Sequence, residues 1–311
     1  MENWLAVLFF FLSAYAVIAN DSIQTLGTWM VSNKNIKWYW LATFASLGLI
    51  LTLTSGWYTY NGDISFGRLE KIPYQPITWA YGLAPLALII LTRLSVPVST
   101  SFLILSTFAN QEVFQDMVVK SVVGYGLSAF LAYLTWIGLS QIIDEQQNVK
   151  AQNESKWRIA QWCSTAFLWW SWLSHDLANI AVFFPRSISA QLLLFTCVFF
   201  TAAIFFIFSE NGGSIQKVVI NKTGTQYVRS ATLIDLFFAS ILIVFKEWNS
   251  IPMSTTWVFI GLLSGRELAI ATSLQKRDVK SVFPIVRQDF MKLVLGMFIS
   301  VLVAYLVNLL K

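Results

Sequence analysis

The chain has 311 residues, 56% of them hydrophobic and only 12% charged, which is too little polar surface to cover a water-soluble globule of this size. Its formal net charge of +5 is spread over short loops without basic blocks, a pattern suited to lipid headgroups and topology and not to a nucleic-acid partner. Cys163 and Cys197 both fall in apolar runs, so they support core packing and no disulfide framework. The composition is that of an integral, polytopic membrane protein.

In chain order, the first apolar run extends from Trp4 to Trp29. It has no basic n-region, opens after Glu2 and carries Asn20-Asp21 where a signal peptide would have a small-residue cleavage site, so it reads as a membrane span. Further runs of spanning length are Trp38 to Tyr58, Val118 to Ser140, Arg158 to Ala181, Ile188 to Ser209 and Ile285 to Leu310. Two other apolar stretches, Trp79 to Ala109 and Ala231 to Gly265, are split near the middle by Pro97 and Pro252. Each reads as a re-entrant hairpin of two half-helices, or else as a pair of thin, tilted spans.

Asp21 and the Pro-Val-Ser-Thr of Pro97 to Thr100 recur as Asp176 and the Pro-Met-Ser-Thr of Pro252 to Thr255, both at an offset of 155 (176 − 21 and 252 − 97). The chain is one unit written twice. Residues 1–143 are the first repeat, with its hairpin at about 77–109. A cytoplasmic linker follows at residues 144–156, and residues 157–311 are the second repeat, with its hairpin at about 231–265. Each repeat crosses an odd number of times under either hairpin reading, so the expected fold is all-α with two inverted-topology repeats. Most loop Lys and Arg, from Lys34 to Lys280, then lie on the linker side, and only Arg68, Lys71, Lys120, Arg186 and Lys311 lie on the other. The richer side is cytoplasmic by the positive-inside rule, which puts both termini outside a plasma or inner membrane.

An ionised Asp in a membrane helix costs about 2.5 to 3.5 kcal/mol and needs a compensating cation or proton. Asn20 and Gln24 flank Asp21, and His175 and Asn179 flank Asp176, adding amide or imidazole ligands to each carboxylate. Such oxygen-rich shells fit a hard cation such as Na⁺, so Asp21, Asp176, Asn20 and Asn179 are the candidate cation ligands and the two carboxylates are the candidate metal ligands. Pro97 and Pro252 can each open a half-helix, where Ser99, Thr100 and Ser101, and Ser254, Thr255 and Thr256, surround a positive helix end. That is a donor-rich, neutral anion site, completed by Asn20, Gln24, His175 and Asn179. Glu112 and Glu267 also match at the same offset and read as loop charges, whereas Asp235 has Ala80 as its counterpart and reads as structural. Repeated membrane proteins with interrupted helices of this kind are secondary transporters whose substrate lies between the repeats.

At these residues the sequence resembles the inorganic phosphate transporter family of ion-coupled anion symporters. That family carries a Gly-Ala-Asn-Asp-Val-Ala-Asn-like and a Pro-Val-Ser-Thr-Thr-His-like motif in each half. The counterparts here are Ala19-Asn20-Asp21-Ser22-Ile23-Gln24 with Pro97-Val98-Ser99-Thr100-Ser101, and Ser174-His175-Asp176-Leu177-Ala178-Asn179 with Pro252-Met253-Ser254-Thr255-Thr256. The resemblance implies Na⁺- or H⁺-coupled uptake of phosphate with no resident cofactor, Asp21 and Asp176 beside the cations, the Ser/Thr tips beside the anion, and a homodimer. Gln24 and His175 stand where the family has Asn, and Phe102 or Trp257 where it has His. These departures fall on the ligand shell, and sulfate is the alternative oxyanion. His175, the only histidine, either replaces an Asn hydrogen bond or makes transport pH-dependent between about pH 5 and 8. A hydrolase using Ser99 or Ser254 with His175 and Asp176 is the remote alternative, because adjacent helical residues point about 100° apart and the Asp cannot readily orient the ring. The chain is therefore read as a transporter and not an enzyme.

Overall fold

No water is available in a bilayer to satisfy backbone N–H and C=O groups, so apolar segments of this length fold as helices. A computed structural model describes residues 4–94, 98–144, 154–210, 228–274 and 279–311. Pro97, linker residues 145–153 and loop residues 211–227 lie outside the described part. In order, the helices are α1 (Trp4–Val17), α2 (Ile23–Ser32), α3 (Trp38–Thr59), α4 (Leu83–Arg93), α5 (Gln111–Asp144), α6 (Glu154–Asp176), α7 (Ala178–Ala181), α8 (Ala190–Ser209), α9 (Val228–Trp248), α10 (Thr255–Leu274) and α11 (Val279–Leu310). π turns occupy Ile18–Ser22 and Ser101–Leu105, and a 3-10 turn at Trp79–Gly82 leads into α4.

Among the described residues six helices are long and apolar enough to cross a membrane: Trp4–Ser22, Trp38–Thr59, Gln111–Gly138, Ala190–Ser209, Val228–Trp248 and Val282–Leu310. Five overlap the runs expected from sequence. The sixth, Val228–Trp248, is the arm before Pro252, which is 21 residues long instead of a short half-helix. In place of the expected run from Arg158 to Ala181 stand α6 and the one-turn α7. The α6 helix has 23 residues but is too polar to count as a candidate span, because Gln161, Ser164, Thr165, Ser171, Ser174 and His175 are buried against neighbouring helices and do not face lipid.

The two halves differ at their tips. After Ser254 the chain enters the 20-residue α10, whereas after Thr100 only the five-residue π turn forms, with Phe102 to Leu105 fully buried. The expected positive helix end is thus found at the second tip. The first tip has no comparable helix end, because so short a turn has little dipole to offer.

The α5 and α10 helices form the most extensive helix contact. A Cβ added to Gly265 would lie 1.9 Å from the Ala129 carbonyl oxygen, and one on Gly261 would lie 2.4 Å from that of Tyr125. The Gly261-x-x-x-Gly265 spacing therefore lets two backbones touch, as small-residue stripes do in membranes. The α6 helix is pinned to α3 by Trp169 Nε1 donating to the Ala45 carbonyl at 2.9 Å. Outward faces are apolar, with Leu194, Phe195 and Val198 on α8 and Phe298 and Leu309 on α11 exposed, a surface suited to acyl chains.

Candidate functional site

Both acidic motifs sit where a helix is interrupted. Asp21 lies in the π turn between α1 and α2, although no proline or glycine occurs there, and Thr25 Oγ1 donates to the Asp21 backbone carbonyl at 3.0 Å. A π turn of this kind widens the helix and turns a side chain out of register, and such turns concentrate at functional sites. Asp176 ends α6, and Leu177 separates it from α7. Ser13 Oγ of α1 donates to the Asn179 carbonyl at 3.0 Å, which ties the helix before the first acidic motif to the second motif.

Around Asp21, Asn20 Nδ2 donates to Oδ1 at 2.6 Å and to the Val98 carbonyl beside the first tip at 2.9 Å. Gln24 Nε2 donates to the same Oδ1 at 3.3 Å. Around Asp176, Asn179 Nδ2 donates to Oδ1 at 2.9 Å, Ser101 Oγ to Oδ1 at 3.3 Å, and Thr255 Oγ1 to Oδ2 at 2.8 Å. Asn179 Nδ2 also donates to Thr100 Oγ1 at 3.0 Å. Hydroxyls from both tips and both acidic motifs therefore meet in one polar centre, and Asp21 faces Thr100 and Asp176 across it.

Among the described residues, two buried oxygens of this centre, Asp21 Oδ2 and Asn179 Oδ1, have no hydrogen-bond partner. Carboxylate and amide oxygens are acceptors, and a hard cation is one natural complement to such a pair. Among the described residues no cluster of three or more His, Cys, Asp or Glu is present. The donor set is carboxylate, amide and hydroxyl oxygen, which suits a cation of the Na⁺ class.

Ser99 and Ser254 do the same job in the two halves. Phe102 N donates to Ser99 Oγ at 3.2 Å and Trp257 N to Ser254 Oγ at 3.3 Å, so each serine caps the turn that follows it. Ser254 N in turn donates to Ser121 Oγ of α5 at 2.9 Å. Thr256 is buried one residue beyond Thr255. The remaining candidate, His175, is turned elsewhere: its ring bonds the Arg68 guanidinium and the Leu242 carbonyl. Donation from Nε2 to that carbonyl, at 2.7 Å, leaves Nδ1 to accept from Arg68. The Ser-His pairing that a hydrolase needs is not made, since the Ser99 and Ser254 hydroxyls cap turns and the imidazole is committed to other partners.

Arg68 and Lys120 were read from sequence as outer-loop charges, yet both are buried, at 2% and 3% exposure. Arg68 is brought inward by the loop after α3, where Asn61, Gly62, Phe66 and Gly67 take positive φ and the Asp63 carboxylate accepts from Ser65 N, Ser65 Oγ and Gly67 N. Burial pushes its guanidinium down to about 10, against the pull of Asp176, Glu247 and Tyr60, so it stays charged at neutral pH. Lys120 lies inside α5, and the visible signal was its place in an apolar run, where a charge points to function by default.

Comparison with protein-family models and with curated proteins gives no match. Among solved structures, the sodium-dependent phosphate transporter matches with a TM-score of 0.67 at 16% identity, covering 99% of this chain and 98% of that one. This chain has a sodium-dependent phosphate transporter fold. Identity at that level speaks for the fold, in agreement with the family resemblance of the four motifs.

Proposed function

We propose that this protein is a secondary active transporter that carries inorganic phosphate across the membrane together with Na⁺ by alternating access. One observation supports this most: the two acidic motifs and the two Ser/Thr tips, far apart in sequence, share one buried polar centre that leaves only acceptor oxygens unsatisfied. Asp21 and Asn179, with Asp176 and Asn20 behind them, take the cation. Thr100, Ser101, Thr255 and Thr256, with Gln24 and the capped tips of Ser99 and Ser254, face the oxyanion, whose charge the cation screens from the carboxylates. Under this reading the halves are inverted repeats, the termini are outside, and rocking of one repeat against the other exposes the centre alternately to each side.

Uptake of radiolabelled phosphate and sulfate into proteoliposomes, with an inward Na⁺ gradient, an inward H⁺ gradient or neither, tests it. Phosphate accumulation driven by Na⁺ is the expected result. Sulfate accumulation in its place reassigns the substrate, H⁺-driven accumulation reassigns the coupling ion, and no gradient-driven accumulation of either anion overturns the transporter reading.

A further inference from the structure

Beside the polar centre lies a second group of side chains that the reading above does not use. Arg68 Nη1 donates to the Asn249 carbonyl at 3.0 Å. Lys120 Nζ donates to the same carbonyl at 3.1 Å, to Asn249 Oδ1 at 2.7 Å and to the Ile251 carbonyl at 2.8 Å. Both cations thus grip the unwound segment between α9 and α10, immediately before Pro252. A cation on the carbonyls that follow a helix is in itself an ordinary cap. Three features go beyond that role. Two basic side chains converge on one short segment where one would suffice. Among the described residues neither has a carboxylate within ion-pair distance, so their partners are neutral carbonyls and the His175 ring. Among the described residues, Arg68 Nε, which is buried, has no hydrogen-bond partner. Buried charges are normally paired, and an unpaired donor on a buried guanidinium calls for an acceptor.

The place of this pair is as informative as its charge. Lys120 precedes Ser121, whose hydroxyl receives Ser254 N; the Arg68 partner His175 precedes Asp176; and Ile251 leads to Thr255. Every contact of the pair is therefore a few residues from a wall of the polar centre. At the offset that relates the two halves, Arg68 and Lys120 correspond to Thr223 and Gln275, so the pair belongs to one side of the molecule only.

We infer that Arg68 and Lys120 form a dianion-recognition subsite at the edge of the transport centre, where an incoming doubly charged tetrahedral oxyanion replaces the Asn249 and Ile251 carbonyls as the partner of the two cations. An oxyanion offers several acceptor oxygens to the guanidinium fork and the ammonium at once, which a backbone carbonyl cannot. Exchange of carbonyl for anion also frees the segment before Pro252, coupling anion arrival to movement of the second tip. The inference rests on the transporter reading and deepens it by naming what selects the anion.

The test measures initial uptake rates of phosphate and sulfate against concentration in Na⁺-loaded gradients for wild type, Arg68→Gln, Lys120→Gln and Asn249→Asp. Asn249→Asp is decisive because it keeps side-chain size and presents a carboxylate to Lys120, filling the subsite from within. We expect KM to rise about tenfold or more in each variant, kcat to stay within about twofold, and the melting temperature of Asn249→Asp in detergent to equal or exceed that of wild type. A merely structural cap predicts the opposite for Asn249→Asp, with KM unchanged. A folded Asn249→Asp protein with wild-type KM overturns the subsite and leaves the transporter reading standing, even where the glutamine variants fail to fold. A wild-type protein that accumulates neither anion overturns both.

Discussion

Replacing Asp21 by Asn separates the cation from every other role of this residue. The Asp21 Oδ1 atom accepts from Asn20 Nδ2 at 2.6 Å and from Gln24 Nε2 at 3.3 Å, and an Asn carbonyl oxygen in the same place keeps both bonds. The amide nitrogen then replaces Oδ2, the oxygen that has no partner. Hydrogen bonding to Asn20 and Gln24 is unchanged, the buried carboxyl group is removed, and the open ligand becomes a donor, so the variant folds with a melting temperature close to or above that of the sodium-free wild type. Loss of a unit charge about 4 Å from a monovalent cation, in a medium of effective dielectric about 20, removes on the order of 4 kcal/mol, or about a thousandfold in cation affinity. The half-saturating Na⁺ concentration for phosphate uptake, with Na⁺-dependent thermal stabilisation as an independent readout, measures that loss. A folded Asp21→Asn protein with wild-type Na⁺ dependence in both assays refutes the assignment.

Ser99→Ala and Ser254→Ala remove equivalent caps, so each should lower stability by about 1 kcal/mol and weaken phosphate affinity to a similar degree in the two halves, read from melting and uptake curves. Gly265→Ala puts a methyl group 1.9 Å from the Ala129 carbonyl oxygen and should abolish folded, monodisperse protein in detergent, whereas Gly126→Ala, whose added Cβ meets nothing within 4 Å, should leave yield and melting temperature unchanged or slightly raised. Asp235 is held by Thr28 Oγ1 at 2.9 Å and Thr165 Oγ1 at 2.5 Å. Converting either Thr to Val should cost about 1 to 3 kcal/mol by stranding a buried carboxylate oxygen, and adding Asp235→Asn should recover most of it in the same melting assay without altering Na⁺ dependence.

The polar centre was legible because the same letters recur at the same offset: Asp21 with Asp176, and Ser99-Thr100 with Ser254-Thr255. Carboxylates and prolines in apolar runs are costly enough to stand out. The interruption of the first span at Ile18–Ser22 left no such trace, since a π turn needs no special residue and is held by the packing around it. The tips differ for a related reason: Thr255, three residues after Pro252, opens a 20-residue helix, whereas the matching turn at Ser101–Leu105 is fully buried and ends within five residues. Arg68 and Lys120 were placed among the loop charges because their partners are backbone carbonyls, which have no signature in a sequence. The inward course of Arg68 depends on a run of positive-φ residues, of which only Gly62 and Gly67 advertise themselves.

The centre is less symmetric than the repeat that builds it, and the asymmetry assigns different work to the two carboxylates. Asp176 has both oxygens engaged by Asn179, Ser101 and Thr255, drawn from both tips and from its own helix break. It is the knot that holds the centre closed. Asp21 has one oxygen engaged by its own motif and, among the described residues, one left open, as is the side-chain oxygen of Asn179 in the other half. On the proposed reading, a cation held by those two oxygens would add a link between the halves to the hydrogen bonds from Asn179 to Thr100 and from Ser101 to Asp176. Such a cation would favour the arrangement that brings both oxygens together, which is the differential affinity between states that coupling requires.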